Sequence, residues 1–261
     1  MDRTLFWISP VIQQRSGETI SMANIVLVHG SWLGGWCWDK TATILRDSGH
    51  QVFAEDLPGH GQDTTPAALC TLDAYIERVC STVKSMSEPV VLVGHSMGGI
   101  VISGVGERLP KHISELVYVA AYLLRDGESI KSISASIETD SIVRENMVPA
   151  ADWSTVAIRK EGLKETFFAD CSEEEVVRAS SLMRPEPTAA FLSPVEVTAS
   201  RFGSIPRTYI RTTRDRALTP KLQNAMLAST PCPRVLDIET SHCPMMAAPD
   251  RLNALLSEVV C

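Results

Sequence analysis

The chain has 261 residues, 44% of them hydrophobic and 21% charged, with a formal net charge of -7 at pH 7. That length buries one sizeable core, and we read a single domain. The acidic balance offers no basic stripe to nucleic acid, and no apolar run approaches the ~20 residues that span a bilayer, so neither nucleic acid nor membrane is expected as a partner.

Seven cysteines (Cys37, Cys70, Cys80, Cys171, Cys232, Cys243 and Cys261) are odd in number and scattered, with no Cys-x-x-Cys pair. Reduced thiols in a cytoplasmic protein are the simplest reading. Residues 1–21 are expected to form a mobile extension outside the fold. Leu5-Phe6-Trp7-Ile8 is too short for a signal core before Pro10, and Met22 offers an alternative start.

From there the elements alternate. Asn24 to Val28 has a buried-strand pattern and runs into His29-Gly30-Ser31-Trp32-Leu33-Gly34-Gly35, a glycine-rich loop whose backbone N–H groups are left free. Trp36 to Ser48 reads as a helix stopped by Gly49, Gln51 to Ala54 as a strand, and Asp56 to Gly61 as a loop. Leu72, Tyr75, Ile76, Val79 and Val83 keep helical spacing, which predicts a helix over Thr71 to Lys84. The apolar run Pro89 to Val93 then stops at Gly94-His95-Ser96-Met97-Gly98 and turns helical, the strand, sharp turn and helix of a nucleophile elbow. A bare Gly-x-Ser-x-Gly arises by chance in roughly one chain in ten of this length, so its setting carries the weight.

Ile100 to Leu109 continues as helix and Leu116 to Ala121 reads as strand. Between residues 123 and 204 the alternation breaks into helix-prone, proline-punctuated sequence, with Ser172 to Glu175 as a capping box. We expect a mainly helical cap inserted there, over a core made of residues 22–122 and 205–261. The core resumes with a strand at Arg207 to Arg211, a helix opened by Thr219-Pro220, a strand at Arg234 to Ile238 and a last helix bearing Leu252, Leu255, Leu256 and Val259. The fold class is α/β, with a mostly parallel, doubly wound sheet.

In such sheets ligands bind beyond the carboxyl ends of the strands. Ser96, Asp215 and His242 each follow one strand end, in the order Ser, Asp, His. A serine hydroxyl needs an imidazole to take its proton and return it to the leaving group, and the aspartate fixes the tautomer of that imidazole. The developing oxyanion needs donors already aimed at it, here the N–H of Met97 and that of Ser31. Asp56 and Asp126 are rival third members, and each of the three residues also has a plain reading as a loop side chain. His29 and His95 are expected to hold loops. No cofactor and no metal are required, and a homodimer is left open.

Val28-His29-Gly30-Ser31-Trp32, Gly94 to Gly99, Arg214-Asp215 and Ser241-His242-Cys243-Pro244-Met245 resemble the plant methyl esterase and hydroxynitrile lyase branch of the α/β-hydrolases and its bacterial esterase relatives. The likeness runs on through Asp152-Trp153, Ala179 to Pro185 and Arg201 to Ser204. It implies that Trp153 hangs from the cap over Ser96. It also offers two chemistries. Cyanohydrin-cleaving members of the branch carry threonine where Gly30 stands and lysine where Cys243 stands, so the departures favour hydrolysis. Trp32 and Trp153 are the residues expected to bind substrate, with Phe168, Leu182 and Met183 behind them. The expected activity is a serine carboxylesterase acting on a small hydrophobic or aryl ester and water. Carbamate or amide hydrolysis, lyase activity and a ligand receptor are the alternatives.

Overall fold

The computed structural model describes residues 22–137 and 139–260, and the extension expected over residues 1–21 lies outside them. In chain order the first part is β1 (Asn24–Val28), a 3-10 turn at Gly35–Trp38, α1 (Asp39–Asp47), β2 (Gln51–Ala54), α2 (Leu72–Lys84), β3 (Val90–His95), α3 (Gly98–Arg108) and β4 (Ile113–Val119). Next come α4 (Ile130–Ser136), α5 (Val143–Asn146), β5 (Met147–Pro149), β6 (Thr155–Ile158), α6 (Lys160–Phe167), α7 (Glu173–Leu182), β7 (Glu186–Pro187) and α8 (Ala189–Leu192). The last part is β8 (Arg207–Thr212), α9 (Pro220–Ser229), β9 (Arg234–Ile238), α10 (Pro244–Ala247) and α11 (Pro249–Val260).

Six strands form one parallel sheet in the order β2-β1-β3-β4-β8-β9. Because side chains alternate across a strand, each strand supplies both faces. Val26, Leu92, Leu116, Tyr118 and Tyr209 face α2 and α3, while Ile25, Leu27, Val91, Val93 and Val117 face α1 and α11. Burying each such aliphatic side chain contributes about 1.5–3 kcal/mol, and this double coverage explains the unbroken apolar runs. Strand order reverses between β1 and β3, so the crevice beyond their carboxyl ends lies between the glycine-rich loop and Ser96.

Three local readings are refined. The first helix begins as a 3-10 turn, because Asp56 Oδ1 accepts the Gly35 N–H at 2.7 Å and tightens the entry. Strand β4 starts at Ile113, which pairs with Val90, and α10, directly after His242-Cys243, was not anticipated. The capping box at Ser172 is present, with Glu175 answering the Ser172 N–H.

The stretch between β4 and β8 carries α4 to α8, and with them an antiparallel sheet in the order β5-β6-β7. The expectation of a mainly helical insertion overlooked that sheet. Its strands are two to four residues long, too short for an alternating pattern to register. Among the described residues no helix is long and apolar enough to cross a membrane.

Candidate active site

The elbow is shaped by steric necessity. Ser96 has φ 52°, a left-handed conformation that costs a non-glycine residue about 1–2 kcal/mol and lifts the side chain off the end of β3. A Cβ at Gly98 would meet the carbonyl oxygens of Val28 and His29 at 2.8 Å, so only glycine lets α3 start this close to β1. The Tyr122 N–H donates to the Ser96 carbonyl at 3.0 Å and locks the turn.

Asp215 lies in the turn after β8, 3% exposed. Its Oδ1 accepts the N–H groups of Ala217 (2.8 Å) and Leu218 (2.9 Å), and its Oδ2 accepts the Thr212 hydroxyl (2.8 Å) and His242 Nδ1–H (2.7 Å). Four donors surround the carboxylate and fix its plane. With Nδ1 carrying the proton, Nε2 of neutral His242 is left as an acceptor. His242 and Ser96 line the same cavity. Among the described residues no hydrogen bond yet joins them, as is common before substrate is bound. The rival carboxylates are engaged elsewhere: Asp56 holds Gly35 and Gln62, and Asp126 holds the Val197 N–H.

Neighbouring histidines are structural, as expected. His95 Nε2–H donates to the His242 carbonyl at 2.9 Å, and the two rings lie 4.6 Å apart. Burial and the nearby His242 push the His95 imidazole well below its ordinary range, so it adds no charge beside the site. His29 accepts the Leu57 N–H at Nε2 and donates from Nδ1 to Gly30 O. Burial, then the charge of His60, lowers it to about 3.

Ser31 and Trp32 line the cavity, together with Leu33, His95, Phe167, Met183 and Cys243. Among the described residues neither the Ser31 N–H nor the Met97 N–H donates to another protein group, and Met97 sits at the N-terminal cap of α3 directly after Ser96. The free volume at the centre is about 10 Å³, room for about one water. Any acyl group must therefore part Trp32, Phe167 and Met183. A larger groove of about 570 Å³ on the outer side of α2 and α3 shares none of these lining residues, and Asp126 is the one candidate on it.

Three expectations change. Trp153 does not hang over Ser96: it is 69% exposed, with φ 59°, in the turn before β6, and it is absent from the cavity wall. Its N–H closes that turn on Ala150 O at 3.0 Å, which directs the indole away. Phe168 is fully buried in the core, and its neighbour Phe167, at the end of α6, faces the cavity instead. Leu182 is likewise off the wall, whereas Met183 is on it. Leu33, Phe167 and the buried carboxylate Glu186 went unrecognised, since nothing in their spacing distinguishes them from ordinary core or surface positions.

Cys243, beside His242, is fully buried and free, and burial keeps its thiol well above the ordinary range and uncharged. At Gly30 a Cβ would lie 2.7 Å from Ser96 Cβ and 2.9 Å from His95 Nδ1. The wall at this point has space for hydrogen only.

An alpha/beta hydrolase family model matches residues 25–255. The chain belongs to that family and, within it, to the branch of the plant methylesterases. Methyl jasmonate esterase 1 of Vitis vinifera is 32% identical over 256 residues, which cover 91% of this chain and 96% of that protein. Methylesterase 17 of Arabidopsis thaliana is 31% identical over 247 residues, covering 89% and 90%. The crystal structure of a pyrethroid hydrolase from Sphingobium faniae aligns with a TM-score of 0.83 at 26% identity, over 92% of this chain and 98% of that one.

Proposed function

We propose that the chain is a serine carboxylesterase that cleaves a small hydrophobic ester through an acyl-Ser96 intermediate. The observation that supports this most is the meeting at one cavity of Ser96 and an Asp215-oriented His242, beside two unclaimed backbone N–H groups. Ser96 Oγ attacks the ester carbonyl as His242 Nε2 takes its proton, and Asp215 stabilises the imidazolium. The Ser31 and Met97 N–H groups bind the oxyanion. His242 then protonates the departing alcohol, and a water activated by the same imidazole releases the acid from Ser96.

Relatives named as methyl esterases and a pyrethroid hydrolase support ester cleavage. The tight, apolar wall of Trp32, Leu33, Phe167 and Met183 supports a compact hydrophobic acyl group. Against cyanohydrin cleavage stand the uncharged Cys243, which offers departing cyanide no cation, and the absence of space for a side chain at Gly30. In our reading residues 123–204 serve as the cap, since Phe167 and Met183 reach the cavity from there. Six free cysteines among the described residues fit a reducing compartment, the cytoplasm in our reading.

A panel of methyl esters, aryl esters, carbamates and mandelonitrile, offered to the parent and to Ser96→Ala, tests the proposal. Ester turnover should dominate and fall by about a million-fold in the variant. Near-native turnover by Ser96→Ala, or cyanide release exceeding ester cleavage, would defeat it.

A further inference from the structure

Glu186, the first residue of β7, is completely buried between two prolines. Its Oε2 accepts the backbone N–H of Trp32 at 2.9 Å and pairs with His60 Nε2 at 2.8 Å, while the Tyr75 hydroxyl lies 3.5 Å from Oε1. The other ring nitrogen of His60 faces Pro58 O at 3.0 Å. Both His60 nitrogens therefore meet acceptors, an arrangement satisfied in full by an imidazolium against a carboxylate.

Stability alone does not explain this pair. A buried ion pair is often matched or exceeded by apolar residues of the same volume, because desolvation offsets the attraction. Its location is more informative. Trp32 has φ 61°, which an indole-bearing residue adopts only when its surroundings enforce it. Three contacts do so: Glu186 on its N–H, the Arg184 N–H on its carbonyl at 3.1 Å, and Val156 O on its indole N–H at 2.7 Å. All three come from the stretch between β4 and β8. The Trp32 N–H belongs to the peptide that joins it to Ser31, so anchoring that N–H fixes the plane of the Ser31–Trp32 peptide one residue from the unclaimed Ser31 N–H.

We propose that Glu186, seated on His60, is a positioning residue for the oxyanion-binding loop: by holding the Trp32 N–H it keeps the Ser31 N–H aimed at a carbonyl on Ser96. The role rests on the reading of Ser96 as nucleophile. It makes the transition state, rather than substrate binding, the beneficiary of a carboxylate that never touches substrate.

The test is ester hydrolysis by Glu186→Leu, Glu186→Gln and Glu186→Asp, with the folded state of each checked by circular dichroism. Loss of one oxyanion donor costs about 100-fold or more, so Glu186→Leu should lose about that factor in kcat with KM held within about twofold. Glu186→Gln keeps an acceptor at the same reach and should recover to within about tenfold of the parent. Glu186→Asp withdraws the carboxylate by about one methylene, and a shift of that size costs up to about 100-fold, so it should fall below Glu186→Gln. If Glu186→Leu does not fold, the order of Gln over Asp carries the same test. Parental kcat in Glu186→Leu, equal losses in Leu and Gln, or Asp at or above Gln would overturn the role. A Ser96→Ala control separates the two claims: activity lost there but kept in Glu186→Leu defeats the positioning role alone.

Discussion

The sheet edge and the insertion above it hold the two halves of the cavity by different means. Ser96, Asp215 and His242 stand just beyond β3, β8 and β9, strands of one continuous parallel ladder in which β3 is wholly buried, β8 largely so, and β9 forms the more exposed edge. Trp32, Phe167 and Met183 close the cavity through contacts with a stretch whose own sheet has strands of two to four residues. Cooperative core elements open rarely, while segments with fewer buried contacts open at lower free energy. The groups proposed to do chemistry therefore sit on the rigid half, and Phe167 and Met183, which must part for substrate, sit on the other. The hydrogen bond from Trp32 to Glu186 crosses between them.

That division predicts unequal responses to mutation. On the rigid half, Asp215→Asn preserves shape but no longer holds the proton on His242 Nδ1, and it should lower kcat by about 10,000-fold. Steady-state kinetics on one aryl ester, with thermal melting close to that of the parent, checks this. A loss of less than tenfold would remove Asp215 from the proposed triad.

Acid and alkali should act on two neighbouring histidines, His29 and His60, whose rings lie 5.0 Å apart. His29, beside β1, is lowered to about 3 from an ordinary 6.5, chiefly by burial and then by His60. As pH falls from 6.5 the unfolded chain takes up a proton that the folded chain refuses, so stability drops by about 1.4 kcal/mol per pH unit from this group. His60 behaves oppositely. Burial would push it down, but the charge and hydrogen bond of Glu186 outweigh that and raise it. Its contribution is complete below pH 6.5 and disappears as pH rises through the raised value. Urea melts across this range should show His29→Gln flattening the acid limb and His60→Gln flattening the alkaline one. Unchanged limbs in both variants would contradict the assignment.

The smallest effects belong to the insertion's aromatic residues, and they sharpen its boundary. Phe167→Ala opens the wall and should raise kcat/KM for longer acyl chains relative to acetate by about tenfold, the scale of one or two methylenes in an apolar pocket. Trp153→Ala, at an exposed turn away from the wall, should leave kcat/KM within about twofold. The reverse ranking would restore Trp153 as a substrate contact.

The same division decided what could be read from sequence. Ser96, Asp215 and His242 were legible because each follows a strand marked by an apolar run, and strand ends in a doubly wound sheet converge. The insertion lacked such marks. Phe167 and Phe168 are adjacent and equally apolar, and the phase of the end of α6 selects which one meets the cavity. The family resemblance implies that Trp153 hangs over Ser96, but a turn with φ 59° sends it to solvent. Glu186 is a charged residue between two prolines, indistinguishable from a surface loop until the fold places Trp32, His60 and Tyr75 around it.

The most direct test of the account is to quench the parent protein during turnover of a slowly deacylating aryl ester and to map the acylated peptide by mass spectrometry. The account predicts the acyl group on Ser96, accumulating in a burst and absent from Ser96→Ala. Acylation at another residue, or full turnover with no acyl-enzyme at any time, would contradict it.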